Sequence, residues 1–283
     1  MRASETGRPP RSLLLLTRER ALRSAHGAAV DVLAVALSRG VQRRTVLHML
    51  AINARPAQID VDPKRCAVIV VDMQNDFGAA GGMFDRAGID IEGIVEAAEA
   101  TRPVLKAARD AGLPIIYLKM EHCADLSDAG PADGPHWIKH LPLNIGSDVV
   151  ATGGSASRIL VRDTWNTEIL DVVKPESGDY VISKHRFSGF FETELDDLLR
   201  RLGVGYLLVT GCTTSVCVES TVRDAMFRDY SCIVLEDCTA EPIGAGLSRT
   251  NHDASLLVIE TLVGWVSNAR AACEALSQQA QLV

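Results

Sequence analysis

The chain has 283 residues, 47% apolar and 5% aromatic, so it can build the large aliphatic core of one α/β domain. Its net charge of −7 argues against a general binder of nucleic acid or of anionic membranes. Seven cysteines without a CxxC pair indicate free thiols in a reducing, cytoplasmic compartment. No apolar run is long enough to predict a membrane span.

The N-terminal residues differ in composition from the rest of the chain. The first 55 carry a formal charge of +7 from arginines, which leaves −14 for the remainder. This composition is that of a transit peptide. A stretch translated upstream of the true start and a helical N-terminal extension are the other interpretations. We expect an Arg-rich extension over residues 1–58, disordered or helical, and one folded domain over 59–283.

Strands and helices are predicted to alternate from residue 66 onward. Residues 66–71 are an unbroken apolar run, typical of a strand buried on both faces, and helical periodicity follows over 91–111. The alternation predicts a three-layer α-β-α sandwich with a mainly parallel sheet. Further strands are predicted over 114–118, 180–183, 205–210, 231–235 and 263–266, and further helices over 192–202, 215–228, 248–262 and 269–276.

Residues 121–157 are rich in Gly, Pro, Asp and His and show no regular pattern. A loop of this length inside a compact domain is usually functional or disordered. We therefore expect an irregular segment here.

Three chemically useful side chains follow predicted strands. Asp72 ends the first strand, Lys184 ends the third, and Cys217 lies in a small-residue turn after the fourth. Because the carboxyl ends of parallel strands meet at one edge of a sheet, the chain order brings an acid, a base and a thiol to one rim.

Cys217 is placed at the start of a predicted helix. The positive end of the helix dipole lowers the pKa of a thiol and favours the nucleophilic thiolate. Backbone N–H groups of the same turn can stabilise an oxyanion. The alternative is an inert buried cysteine, the usual state of a free thiol.

Asp72 and Lys184 each have a structural and a chemical interpretation. A carboxyl group beside apolar walls has a raised pKa and can exchange protons near neutral pH, whereas most strand-end aspartates only cap a loop. A lysine in a cleft can stabilise charges on neighbouring groups, whereas most strand-end lysines point into solvent.

Other chemistry is less well supported by the spacing of residues. A Cys–His pair is possible with His122, His136 or His185, and a metal site with Glu121, His122, His136 and His140. No HxH or HExxH spacing occurs, so no metal is predicted. No glycine-rich nucleotide motif occurs either, so we expect no cofactor.

Three motifs resemble those of the isochorismatase-like cysteine hydrolases. They are VVDMQNDF at 70–77, KHRFSGF at 184–190 and GCTTSVCVEST at 211–221, and the resemblance covers about residues 60–275. It implies a catalytic triad of Asp72, Lys184 and Cys217, a cis peptide bond between Cys212 and Thr213, and an oxyanion hole formed by the N–H groups of Thr213 and Cys217. It also implies a homo-oligomer.

Within that superfamily, the segments 163–166, 175–179, 217–224 and 264–267 resemble the ureidoacrylate amidohydrolases of pyrimidine breakdown. The resemblance implies cysteine-dependent hydrolysis of a C–N bond in a small ureido or amide substrate. Another amidase of the superfamily, or a catalytically silent binding module, is the alternative. The chain departs from the group at residues 120–122, where Met-Glu-His replaces Asn-Gly-Trp, and at Phe187, where Tyr is usual. Substrate contacts are expected from Gln74, Phe77, Glu121, His122, Phe187 and Phe190.

Overall fold

The computed structural model describes residues 49–280 except 245, 247 and 249. Residues 1–48, which hold most of the predicted Arg-rich extension, lie outside the described residues. The strands are β1 Leu50–Ile52, β2 Ile59–Val61, β3 Cys66–Val71, β4 Ile115–Met120, β5 Asp148–Val150, β6 Ala156–Arg158, β7 Tyr180–Lys184, β8 Tyr206–Cys212, β9 Ser231–Ala240 and β10 Trp265–Ser267. The helices are α1 Asn75–Gly78, α2 Met83–Arg86, α3 Glu92–Asp110, α4 Pro135–His140, α5 Leu195–Arg201, α6 Glu219–Met226, α7 Asn251–Val258 and α8 Ala269–Ala280.

Six strands form the central sheet, in the order β10-β9-β8-β3-β4-β7. All neighbouring pairs in it are parallel, which confirms the predicted parallel sheet. Two hairpins stand apart from it. One joins β1 to β2, so residues 50–52 pair with the start of the predicted domain, and the other joins β5 to β6.

The apolar run of β3 is explained by its position at the centre of the sheet. Its six residues are all buried, and their side chains alternate between two separate cores. Val68 and Val70 belong to the core under α3 and α8, whereas Ile69 and Val71 belong to the core under α5 and α6. Because full burial of a Val or Ile stabilises the fold by about 1.5–3 kcal/mol, this strand anchors both layers. The three-layer sandwich is therefore confirmed.

The long helix α3 shows how sequence pattern and packing agree. Its buried stripe includes Ile94, Ala98 and Leu105, spaced at four and seven residues, which lies on one helical face. Gly112 follows the helix with a φ of +71°, and its N–H donates to the Arg109 carbonyl. A glycine in this left-handed conformation commonly ends a helix, as the sequence predicts here.

The segment over 121–157 contains more regular structure than the sequence pattern indicates. It includes the short helix α4 and the hairpin of β5 and β6. Pro135 follows Gly134 at the start of α4, and proline is favoured at the first position of a helix. That signal is present in the sequence, but one and a half turns of helix are too short to produce a clear periodicity.

Candidate active site

The site lies at the carboxyl ends of β3, β7 and β8. Asp72 follows β3, Lys184 is the last residue of β7, and the Cys217 turn follows β8. The close approach of β8 to β3 requires glycine at position 211, where φ is +124°. A Cβ atom there would lie 2.1 Å from the carbonyl oxygen of Val71. The glycine therefore lets β8, which leads into the Cys217 turn, lie directly beside β3, which leads into Asp72.

Asp72 and Lys184 form a buried ion pair. The Lys184 Nζ donates to Asp72 Oδ2 at 2.6 Å, and each residue is only 1% exposed. Nζ also donates to the Arg186 carbonyl oxygen at 3.2 Å. Asp72 has a left-handed backbone with φ of +50°, a conformation that is uncommon outside glycine and that occurs often at functional sites.

The second oxygen of the Asp72 carboxylate is free to act on another group. Among the described residues, Oδ1 is buried and has no hydrogen bond of good geometry. The Cys217 thiol nevertheless lies close enough for contact with the carboxylate to alter the pKa of both groups. Burying a hydrogen-bond acceptor without a partner costs free energy. The neighbouring Cys217 thiol has a proton that Asp72 Oδ1 can accept.

The electrostatics of the pair fix the charge of the lysine. Burial raises the pKa of Asp72, and the attraction of Lys184 reverses this only in part. Burial acts to lower the pKa of Lys184, but the charge and hydrogen-bond interactions of its ammonium group, led by the attraction of Asp72, outweigh burial, so that pKa is raised above its ordinary value. Lys184 is therefore protonated near neutral pH and supplies a permanent positive charge.

The pKa of the Cys217 thiol is raised, whereas the sequence predicts a lowered one. It lies in a π-helical turn, Thr214–Val218, which continues into α6, and it is 7% exposed. Burial raises the pKa of the thiol, the negative charge of Asp72 raises it further, and Lys184 lowers it only partly. The expected lowering by the helix start is therefore outweighed. The resting thiol is protonated, so its activation requires a nearby proton acceptor.

The backbone around Cys217 has a cis peptide bond and two N–H groups that share one carbonyl acceptor. The peptide bond between Cys212 and Thr213 is cis, as the sequence resemblance implied. The N–H groups of Val216 and Val218 both donate to the Thr213 carbonyl oxygen. The Cys217 N–H lies between them in the first turn, where helix amides lack intrahelical partners. An oxyanion hole formed by Thr213 and Cys217 remains a prediction.

Two side chains hold this turn from behind. The Glu241 carboxylate accepts hydrogen bonds from the Ser215 N–H at 2.9 Å and from the Ser215 hydroxyl. The Thr214 hydroxyl and His252 Nδ1 are 2.9 Å apart. These contacts restrict the first residues of the turn, and thereby restrict the position of the thiol.

Cys217 opens onto a cavity of about 190 Å³. This volume is below the roughly 300–1,000 Å³ of sites that bind drug-sized ligands, so only a small molecule fits. Cys217, Cys212 and Thr213 form one part of the wall. Apart from these and two polar side chains of α4, Lys139 and His140, the wall is apolar and consists of Phe77, Met83, Phe84, Met120, Leu143, Leu160, Phe187, Val216 and Ile243.

Two of the six expected substrate contacts lie in this wall, Phe77 and Phe187. Gln74 lies behind the wall, because its amide is used by the backbone. Its Nε2 donates to the carbonyls of Met120 and Thr167, and its Oε1 accepts the Met120 N–H. Gln74 therefore holds β4 beside the loop that follows Asp72.

The other three expected contacts lie outside the cavity wall. Glu121 is buried against Lys119 at 2.9 Å and accepts from the Ser183 hydroxyl. His122 is fully buried and pairs through Nδ1 with Asp128. The third residue, Phe190, stacks on Tyr230 and lies beneath Arg228.

His122, His136 and His140, for which the sequence predicts no metal, do come together. The ring centroids of His136 and His140 are 4.2 Å apart, and those of His122 and His136 are 5.8 Å apart. Across residues 49–280, without the three omitted positions, no group of three potential ligands has a metal-binding arrangement. Burial lowers the pKa of all three rings, that of His136 to about 3, so the cluster is uncharged at neutral pH.

Sequence reasoning missed Lys139 as a cavity residue and considered His140 only as a metal ligand. Both lie on α4, inside the segment expected to be irregular. The Gly134-Pro135 pair marks the start of that helix and is the signal that was available. Which of its residues face the cavity follows from the fold alone.

Comparisons with known proteins identify the family of this chain. The isochorismatase domain family matches residues 66–271. A ureidoacrylate amidohydrolase from Caulobacter segnis is 40% identical over 214 residues, which cover 76% of this chain and 87% of that protein.

Two solved structures also share the fold. A cysteine hydrolase from Pseudomonas syringae superposes with a TM-score of 0.65 at 26% identity, covering 83% of this chain and all of that chain. An N-carbamoylsarcosine amidase from Thermoplasma acidophilum superposes with a TM-score of 0.54 at 26% identity, covering 72% of this chain and 96% of that chain. Family model, curated relative and fold agree, and the chain therefore belongs to the isochorismatase family.

Proposed function

We propose that this protein hydrolyses ureidoacrylate, or a closely similar small ureido compound, with Cys217 as nucleophile. The protein is a hydrolase that acts on amide C–N bonds, as its family and its amidohydrolase relatives support. The observation that carries the finer proposal is the thiol of Cys217, which lies at the buried Asp72–Lys184 pair and opens onto a small cavity. Together these groups can supply a nucleophile, a proton acceptor and a compensating positive charge for hydrolysis of a small amide.

The first chemical step makes the thiolate. Asp72 accepts the Cys217 proton as the sulfur attacks the substrate carbonyl carbon, forming an S–C bond. This removes the unfavourable negative charge from the buried carboxylate and places it on the substrate oxygen. The N–H groups of Thr213 and Cys217 stabilise that oxyanion, and Lys184 compensates the negative charge throughout.

The second stage breaks the C–N bond and restores the enzyme. Asp72 gives its proton to the leaving nitrogen, so ammonia or an amine departs and the carbonyl group remains on Cys217. This intermediate is a thiocarbamate when the substrate is a ureido compound and a thioester when it is a simple amide. Water then attacks the same carbonyl carbon while Asp72 takes one of its protons. The sulfur leaves, regains the proton from Asp72, and the acid product departs. One water is consumed for each C–N bond broken.

Two alternatives are tested by the same assay. The structural similarity to an N-carbamoylsarcosine amidase favours a carbamoyl amino compound as a second candidate substrate. A catalytically silent binding module is the other alternative. The experiment is a screen of ammonia release from ureidoacrylate, N-carbamoylsarcosine and acetamide by the purified full chain.

We expect ureidoacrylate to give the highest kcat/KM in that screen. Faster ammonia release from N-carbamoylsarcosine would transfer the assignment to the second candidate. Absence of release from all three compounds, together with a thiol at position 217 that iodoacetamide does not modify, would favour the silent module.

The pH dependence of kcat/KM should report the shifted carboxyl group. Asp72 must be ionised to accept the thiol proton, so activity falls as the pH falls through its pKa. Because burial raises this pKa, the acid limb should lie at higher pH than for an ordinary aspartate with a pKa of about 3.9. The apparent value belongs to the coupled group of Asp72, Lys184 and Cys217. Rates that stay constant down to pH 4 would contradict Asp72 as the base.

Two further expectations concern the whole molecule. No helix among the described residues is long and apolar enough to cross a membrane. We also propose that the protein is cytoplasmic. We further propose that it forms a homo-oligomer, and light scattering of the purified protein would measure its molar mass.

A further inference from the structure

Polar side chains are rare on the wall of the Cys217 cavity. Apart from the nucleophile turn itself, only Lys139 and His140 contribute polar side chains among the described residues. In small-molecule sites, a few polar groups in an apolar wall fix the orientation of the ligand. These two residues are therefore the side chains of the wall that could recognise a polar end group of a substrate.

Lys139 brings a positive charge to this wall. Its ammonium group has three donors and no acceptor, so it recognises anions and hydrogen-bond acceptors. None of the salt bridges among the described residues involves Lys139, whereas Lys106 and Lys184 each pair with an aspartate. The charge at this position is therefore available to a ligand.

His140 is oriented by its own helix. Its Nδ1 lies 2.7 Å from the His136 carbonyl oxygen, which can only accept, so Nδ1 carries the proton. The other nitrogen, Nε2, is then the one left for the cavity. Ring contacts with His136 at 4.2 Å and with Phe187 at 5.6 Å hold the imidazole in place.

The resting charge of His140 depends on the groups around it. Burial lowers its pKa, the hydrogen bond to the His136 carbonyl raises it, and the positive charges of Arg186 and Lys184 lower it. The ring is therefore neutral at pH 7. An anion beside Nε2 would offset the two positive charges and allow His140 to take a proton from solvent.

We infer that Lys139 and His140 form a carboxylate subsite, which restricts the enzyme to small acyclic amides or ureas that carry a carboxylate. This inference rests on the proposed function and names its substrate class. The Lys139 ammonium pairs with one carboxylate oxygen, and protonated His140 donates Nε2–H to the other. The short carbon chain between carboxylate and carbonyl lies against the apolar wall, on which Phe77 and Phe187 provide flat faces.

The test compares binding of an acid with binding of its neutral counterpart. Kd values of ureidoacrylate and ureidoacrylamide are measured by calorimetry with the full-length Cys217→Ala variant, which binds without turnover. We expect the acid to bind about tenfold tighter, the ratio that one charge-assisted hydrogen bond provides. Adding Lys139→Met should remove this ratio, and Lys139→Arg should retain most of it.

The control is Lys174→Met, which removes an exposed lysine outside the cavity and should leave both Kd values unchanged. Adding His140→Phe should reduce the ratio and abolish proton uptake on binding of the acid, measured by calorimetry in two buffers of different ionisation enthalpy. Equal Kd values for acid and amide, or a tenfold ratio that survives Lys139→Met, would overturn the subsite. Tight, Lys139-dependent binding of the acid with no hydrolysis by the native enzyme would instead overturn the proposed reaction and leave the subsite standing.

Discussion

Replacing Cys217 by alanine should reduce ammonia release from ureidoacrylate by about 10⁴-fold or more, with little change in the melting temperature. The expected loss is large because removing a nucleophile leaves only substrate binding and oxyanion stabilisation, as measured for other triad hydrolases. Cys217→Ser should lose almost as much, since the hydroxyl pKa is far higher than that of the thiol. Ammonia release under saturating substrate measures the effect.

A matched control is available in Cys273, a free thiol on α8 that is not part of the cavity wall. Cys273→Ser should keep the native rate within a factor of two to three, an order-of-magnitude margin for substitutions away from functional features. Cys217→Ala that retains more than a tenth of native turnover would remove the thiol from the mechanism.

Breaking the buried ion pair should reduce stability and activity together. Lys184→Met leaves the Asp72 carboxyl group buried without its partner, which typically costs 3–5 kcal/mol. The same change removes the positive charge that compensates Asp72 and the thiolate, so turnover should fall by about 10³-fold or more, within the range for loss of a triad member. Urea unfolding measures the free energy of unfolding, and ammonia release measures the rate.

The double variant Asp72→Asn/Lys184→Met separates the two effects. A neutral amide beside a neutral thioether restores much of the lost stability, because replacing both members of a buried pair is often close to neutral. Activity should stay absent, because no proton acceptor remains for Cys217. If the double variant were as unstable as Lys184→Met alone, or if it regained turnover, the charge roles assigned to the pair would be wrong.

The sheet and its two helical layers were predictable because β3 and its neighbours are apolar on both faces. A continuous run such as residues 66–71 is typical of a central parallel strand, and Gly112 marks the end of α3. The placement of Asp72 and Lys184 also followed, because side chains at the ends of parallel strands share one rim. Their direct contact at 2.6 Å agrees with that expectation.

The electrostatic state of Cys217 could not be derived from its position in the chain. A helix start lowers a thiol pKa, but the opposing effect of burial depends on how closely the two cores and the cavity wall enclose the sulfur. Similarly, Gln74 lies two residues after Asp72 and is expected from the sequence to contact the substrate, yet its amide groups bond to backbone. These backbone partners, Met120 and Thr167, are 46 and 93 positions away in the chain, so the sequence around Gln74 does not reveal them.

The cavity wall was the least predictable part of the site. Lys139 and His140 belong to a helix of six residues, too short for a periodic pattern to fix its orientation. The neighbouring wall residues come from separate segments of the chain. The composition of this wall is therefore determined by tertiary packing, whereas the meeting of Asp72, Lys184 and Cys217 at one rim follows from the sheet.

Alkylation of the native enzyme by iodoacetamide, with peptide mapping of each cysteine and activity measured on the same samples, is the most direct test of Cys217 as nucleophile. We predict that activity falls in proportion to the fraction of Cys217 that is modified, and that ureidoacrylate slows its modification. Enzyme that is fully alkylated at Cys217 and still releases ammonia at the native rate would contradict the mechanism.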